Sequence, residues 1–270
     1  MHKRLATLDA EDLDKPISAD ILHSLEPLLL RLSKVNFEAE HSEGLSIIPL
    51  LHTADVISLS AGGTGYRQRS PLKAPSDISL LPTNLRYLRM HHLDKNPLAN
   101  LGLNLANLIG LDVPYLDKSG VRQVSKLLPA LKSLKYLHLS DSKVPRIKFT
   151  AYDGIFSSIR LLSITHLQLN IFPSISQLRL LPSTIKELDL DCSFEDILPS
   201  KLGSIKSWKH LYLPALTELS LVSPVLRESN TPKWPKDVKD DLRHTEEFSV
   251  KIRESWEDSP KLPGAWWEKT

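Results

Sequence analysis

"LPALKSLKYLHLSDS", residues 128–142, sets Leu134, Leu137 and Leu139 at positions one, four and six of a six-residue frame that opens at Leu134. In an extended chain alternate side chains leave opposite faces, so the fourth and sixth residues point one way and the third, fifth and seventh the other. The frame therefore describes a strand with an apolar face, Leu137 and Leu139, and a polar face, Tyr136, His138 and Ser140. Its first position precedes the strand, where the chain turns inward and adds a further apolar plug.

The same frame recurs along the chain. It is met as "LSKVNF" with Leu32, Val35 and Phe37, "ADVISL" with Ala54, Ile57 and Leu59, "LRYLRM" with Leu85, Leu88 and Met90, and "LIGLDV" with Leu108, Leu111 and Val113. Beyond the opening example come "ITHLQL" with Ile164, Leu167 and Leu169, "IKELDL" with Ile185, Leu188 and Leu190, and "LTELSL" with Leu216, Leu219 and Leu221. Successive frames begin 21 to 31 residues apart, an irregular period averaging about 26 and close to that of leucine-rich repeats.

Between the frames, segments such as "ISADILHSLEPLLLRL" (17–32) and "VRQVSKLLPALK" (121–132) space their apolar residues by three and four. That spacing predicts a helical turn or a short amphipathic helix. Pro82, Pro129, Pro182 and Pro214 stand just ahead of frames, where proline stops a helix and lets the chain extend. A single strand-plus-helix unit buries too few apolar side chains to offset the cost of ordering about 25 residues. The units must stack, strand beside parallel strand. The expected fold class is α/β, a leucine-rich repeat solenoid with a parallel concave sheet and an irregular helical or loop convex side.

The composition agrees with a soluble folded chain, with 270 residues of which 41% are hydrophobic and 24% charged. Against 32 acidic residues stand 34 basic ones, a formal +2. That balance is too small and too dispersed to argue for a nucleic-acid or membrane partner. The single cysteine, Cys192, has no internal disulfide partner, and no Asn-X-Ser/Thr acceptor occurs. The opening "MHKRLATLDAEDLDKP" (1–16) is basic and then acidic without the apolar run of a secretory signal. No 18-residue apolar stretch follows. These features predict a reducing, intracellular setting, cytoplasmic or nuclear.

"LPTNLRYLRM" (81–90) and "LPSTIKELDL" (181–190) share the pattern LP-x-x-[L/I]-[K/R]-x-L-x-[L/M]. In this the chain resembles the leucine-rich repeats of fungal F-box proteins and of the wider ribonuclease-inhibitor-like group, over roughly residues 20 to 225. The resemblance implies an N-terminal F-box that binds the Skp-type adaptor of a cullin ubiquitin ligase, and a repeat array that holds the protein to be ubiquitinated. "PISADILHSLEPLL" (16–29) is similar to the opening LPxEILxxIxxxL of an F-box. The later DLxxLxxVCKxW part is absent, and "RLSKVNFEAE" (31–40) reads as the first strand instead. The asparagine that bonds the turn after the strand in many such repeats is also missing, which implies an irregular convex side.

The polar face supplies the candidate partner-binding residues, read off the third, fifth and seventh positions. They are Tyr87, Arg89 and His91 in the third frame, Tyr136, His138 and Ser140 in the fifth, His166, Gln168 and Asn170 in the sixth, and Glu187, Asp189 and Asp191 in the seventh. Aromatic and basic groups occupy the middle and carboxylates the C-terminal end, an arrangement for a partner with a matching charge gradient. Tyrosine and arginine also dominate binding hot spots. The alternative is that these residues merely solvate and support the sheet.

Catalytic motifs are not found. "SAGGTG" (60–65) lacks the Gly-Lys-Ser/Thr of a phosphate loop and the spacing of a dinucleotide turn, so it reads as a loop. On a strand Cys192 faces away from Asp189 and Asp191, and His91 away from His92, so neither group can share a metal ion. No cofactor is expected.

The expected organisation is an N-terminal extension (1–19), a leucine-rich repeat domain of about eight repeats (20–223), and a C-terminal segment (224–270) that is either a cap or a partly disordered tail. The last segment gathers Trp234, Trp256, Trp266 and Trp267. They either pin a cap or, in "LPGAWWEK" (262–269), form a short linear motif. "FSVKIRESWED" (248–258) reads as one short helix or an added strand. The expected function is a non-catalytic scaffold that binds a protein on the concave strand face. The alternative is an enzyme or regulated effector whose array only positions an unrecognised active site.

Overall fold

A computed structural model describes residues 5–10, 20, 24, 26–39, 53–54, 56–61, 85–90, 105–116, 118–141, 149–170, 173–191, 213–222 and 249–253. Its strands are β1 (Leu5–Ala10), β2 (Leu32–Ala39), β3 (Val56–Ala61), β4 (Tyr87–Met90), β5 (Gly110–Leu116), β6 (Tyr136–Asp141), β7 (His166–Asn170), β8 (Glu187–Asp191), β9 (Glu218–Val222) and β10 (Ser249–Arg253). All pair in parallel, in chain order, within one sheet. Parallel neighbours require a crossover between them. Among the described residues those connections contain the helices α1 (Glu26–Leu29), α2 (Lys118–Leu127), α3 (Asp153–Ile159) and α4 (Ile175–Leu178). The chain is thus α/β with a parallel sheet.

Register is what turns the frame into a core. Val35, Ile57, Leu88, Leu111, Leu137, Leu167, Leu188 and Leu219, the fourth residues of the eight frames, lie in one continuous row across β2–β9. Val35, Leu88 and the residues from Leu111 to Leu219 in that row are buried. Val113, Leu139, Leu169 and Leu190 form a second buried row beside it. A one-residue slip would expose the whole set, so the apolar face holds the register.

The first positions behave as plugs: Leu32, Ala54, Leu85, Leu108, Leu134, Ile164, Ile185 and Leu216 are all buried. At Leu108, Leu134, Ile185 and Leu216 the backbone N–H donates three residues back, to Leu105, Leu131, Pro182 and Leu213, closing the turn into the strand. A second device then fastens each strand to the one before it. The carbonyls of Arg86, Ile109, Lys135, Thr165 and Lys186, second residues of their frames, each accept from two successive N–H groups of the next frame, as Ile109 does from Lys135 and Tyr136. Thr53, Thr165, Thr184 and Thr217 add hydroxyl donors to carbonyls of the preceding unit.

Helix α2 overlaps the segment whose apolar spacing predicted it, beginning three residues earlier at Lys118. Val121, Val124 and Leu127 are buried, and Pro129 ends it in a 3-10 turn over Leu128–Ala130. Helix α3 buries Ile155, Phe156 and Ile159 and packs against α2 and α4. Ser158 Oγ, which can donate to Gly154 O or Ser125 O, ties α3 to α2. Ser174 and Gln177 start α4 with a reciprocal capping box: Gln177 Oε1 accepts from Ser174 N, and Ser174 Oγ from Gln177 N. Gln177 Nε2 also donates to Asp153 at the start of α3, 2.8 Å away. The core lies between these helices and the leucine face.

The sheet extends beyond residues 20–223 at both ends. β1 lies inside the stretch read as an extension, where "LATLDA" itself carries Leu5, Leu8 and Ala10 at positions one, four and six. β10 resolves the choice for "FSVKIRESWED" in favour of a strand. The sheet is irregular between Val113 and Leu116, where Pro114 has no N–H for the ladder. The glycine-rich stretch beyond Ala61, His91, His92, Cys192 and all four C-terminal tryptophans lie outside the described residues. No described helix is long and apolar enough to cross a membrane.

Candidate functional site

The register that stacks the leucines also aligns the polar positions. One row runs Tyr87, Gly110, Tyr136, His166, Glu187 and Glu218, and the next runs Arg89, Asp112, His138, Gln168, Asp189 and Ser220. Tyr87, Arg89, Tyr136, His138, His166, Gln168, Glu187 and Asp189 are thereby brought together from four separate frames. Ser140 pairs with Asn170 in a third row, and Asp191 is in register with Val222.

In the first row Gly110 leaves space for an aromatic neighbour. Tyr87 is only 4% exposed, with its ring against the Gly110 backbone. The Tyr136 ring centre is 6.4 Å from that of Tyr87, and the His166 ring follows 4.5 Å from Tyr136 at an interplanar angle of 30°. His166 Nε2 lies 3.2 Å from Glu187 Oε1, an ion pair when the imidazole is protonated. On its other side His166 Nδ1 is hydrogen-bonded to Thr165 Oγ1, 2.8 Å away, with the donor set by the ring's tautomer. These two contacts hold the imidazole between Tyr136 and Glu187. Burial, aided by Tyr87 and Glu187 nearby, raises the Tyr136 hydroxyl above the ordinary tyrosine range.

The second row contains a buried cluster. Asp112 Oδ1 accepts from His138 Nδ1 at 2.7 Å, and Asp112 Oδ2 lies 3.2 Å from Arg89 Nε. The Arg89 contact is an ion pair whose alignment falls short of a hydrogen bond. Because Asp112 fixes the Nδ1 proton, the neutral His138 ring presents a lone pair at Nε2. His138 is 2% exposed, and neither its Nε2 nor Ser220 Oγ has a hydrogen-bond partner among the described residues.

This burial departs from the expectation of a uniformly solvated face. Tyr87, Asp112, His138 and Ser220 are all withdrawn from water. Burial of the charged pair is tolerated because Asp112 serves both neighbours, replacing hydration with ion pairing and a hydrogen bond. The basic group assigned to the middle of the face, Arg89, is engaged by Asp112 and is 13% exposed at its side chain. The accessible part is therefore aromatic at Tyr136 and His166 and acidic beyond them. The Glu187 side chain is 56% exposed.

Sequence reasoning passed over Asp112, Glu218 and Ser220. The signal was present, since they occupy third and fifth positions of the fourth and eighth frames, the same positions that yielded the other candidates. His91 lies outside the described residues, and for Asn170 and Asp191 the register alone is described. Among the described residues no group of three or more histidine, cysteine or acidic side chains is placed to hold a metal ion. Neither a protein-family model nor a curated protein sequence matches the chain.

Proposed function

We propose that this chain is a non-catalytic protein–protein interaction scaffold, a leucine-rich repeat solenoid related to the substrate-recognition modules of fungal F-box ubiquitin-ligase adaptors. Its partner, a ubiquitination substrate in that setting, sits on the polar strand face, and the setting is intracellular, cytoplasmic or nuclear. A Skp-type adaptor joins only if a working F-box is present. The fold reading draws support from the in-order parallel strands, of which β2–β9 are each preceded by a buried first-position plug and each add one residue to the same apolar row. Arrays of this kind commonly use the face opposite their helices for binding.

The observation that carries the functional reading is the alignment of Tyr136, His166 and Glu187 on adjacent strands. It joins an aromatic platform to a carboxylate in one contiguous surface, with Gln168 and Asp189 beside it. Alanine at Tyr87 or His138 is a poor test, since both side chains are buried. The informative experiment is an affinity pull-down read by mass spectrometry, with wild type beside a Tyr136→Ala/Gln168→Ala variant whose circular dichroism is native. Loss of a specific partner in the variant is the expected result. Retention of every partner removes the strand face from the reading.

One observation favours a second reading. The Asp112–His138 pair has the orientation of a general base, with Nδ1 held by a carboxylate and Nε2 presenting its lone pair. In that reading the chain is an enzyme or regulated effector and the array positions His138. Turnover on a generic substrate panel, abolished by His138→Gln in a folded protein, would establish it.

A further inference from the structure

Beyond the strand face, we infer that the N-terminal rim of the sheet is a second interaction surface, and that it takes an acidic protein segment carrying an apolar residue. All strands run parallel, so the turns that lead into them lie along one edge of the sheet. The described turns into β4–β9 contribute Arg86, Lys132, Lys135, Arg160, Arg179 and Lys186, and no aspartate or glutamate. The small net charge of +2 over the whole chain conceals this segregation. Arg86, Lys135 and Lys186 are second residues of their frames, and their carbonyls belong to the ladder of paired acceptors that fastens successive units. They stand on alternate strands, about 10 Å from one to the next. Lys135 Nζ donates to Ser163 O at 3.2 Å, which lays its side chain along the rim toward β7.

Arg86, Lys132, Arg160, Arg179 and Lys186 are exposed, and among the described residues no carboxylate pairs with any of them. Arg160 and Arg179 follow the C-termini of α3 and α4, where the helix dipole favours a cation. The three second-position residues end no helix, so that account does not extend to them. Cations spaced in this way cannot share one compact anion, and the ligand has to be extended and carry several negative charges. Nucleic acid, an anionic bilayer and an acidic protein segment meet that description. Single-strand nucleic-acid sites combine cations with aromatic stacking platforms, and the described turns into β4–β9 contain no aromatic residue. A bilayer needs an apolar anchor, and a lone leucine inserts far less apolar surface than one acyl chain, itself a marginal anchor. That leucine is Leu161, directly after Arg160 and 68% exposed. It suits a protein segment, in which an apolar residue covers it while neighbouring carboxylates meet the cations.

The test offers the full chain a short fluorescein-labelled peptide in which aspartates and glutamates flank one leucine, its amide counterpart, a labelled single-stranded oligodeoxynucleotide, and phosphatidylserine vesicles. By fluorescence anisotropy the acidic peptide is expected to bind, and to weaken as ionic strength rises from about 0.05 M to about 0.5 M. Arg160→Glu/Lys186→Glu should weaken it about tenfold or more, because attraction becomes repulsion, and Leu161→Ser about threefold. These side chains are exposed, so the variants should keep the wild-type circular dichroism. Tyr136→Ala should leave the affinity unchanged, which separates the rim from the strand face. No binding of the acidic peptide, equal binding of its amide counterpart, or equal binding to the charge-reversed variant overturns the inference. Loss in Tyr136→Ala alone assigns the peptide to the strand face and overturns the rim. Tighter binding of the oligonucleotide or the vesicles, lost in the charge-reversed variant, overturns the acidic segment.

Discussion

Tyr87 lays its ring against Gly110: a Cβ added at Gly110 would stand 2.6 Å from Tyr87 Cδ1 and 3.1 Å from Cε1. No real Cβ contact is that short, and the ring cannot retreat freely because Tyr87 is itself buried. Gly110→Ala is therefore expected to cost about 1–3 kcal/mol, as overpacking does elsewhere. Urea denaturation of the single variants and of the Gly110→Ala/Tyr87→Ser double variant checks the cause. The alanine penalty should shrink once the ring is gone, because the two sites share one space.

The leucine row makes a sharper demand on folding. Leu188 is buried between Leu167 and Leu219 in register. Leu188→Ala should cost about 2–5 kcal/mol by leaving a cavity. Leu188→Asp buries a carboxylate with no counter-charge and should abolish folding. Far-ultraviolet circular dichroism and thermal melts distinguish the two, the first variant melting lower and the second showing no cooperative transition.

Arg89, Asp112 and His138 stand or fall together. Asp112→Ala removes the counter-charge facing the Arg89 guanidinium and the acceptor of His138 Nδ1–H. A loss of about 3–5 kcal/mol is expected, the usual result of removing one partner from a buried charge cluster. Asp112→Asn keeps an acceptor for Nδ1–H but loses the charge facing Arg89, so it should fall between wild type and Asp112→Ala. The order of the three urea midpoints is the measurement.

Alkaline stability should report on Tyr136. Its folded-state pKa lies above that of the unfolded chain, so folded protein keeps the phenolic proton where unfolded protein releases it. The stabilisation is complete below the ordinary tyrosine value near about 10 and is lost as pH rises through the raised folded value. Between those two values melting temperature should decline more steeply with pH in wild type than in Tyr136→Phe. An ultraviolet titration should show a late-ionising phenol signal in wild type that is diminished in the variant.

Much of this was legible in the residues themselves. Leucines at positions one, four and six state which side chains turn inward. The observed burial of Leu134, Leu137 and Leu139 follows from strand alternation and nothing more. The outer strands were harder to read. In β1 the frame ends on the small Ala10, and in β10 the first position falls on Glu247, so the apolar signature is weak where the chain approaches the sheet's two ends.

What no single frame states is which residues become neighbours across frames. Asp112 and His138 are 26 positions apart and meet at 2.7 Å, and Gly110 matters only because Tyr87 arrives beside it. Alternation along a strand is a local property of L-residues, so the sequence alone determined the apolar face and the polar face. Pairing between strands depends on the register of the assembled sheet, so only the tertiary structure decided that the polar face would bury a charged cluster, engage Arg89 and leave a carboxylate open at Glu187.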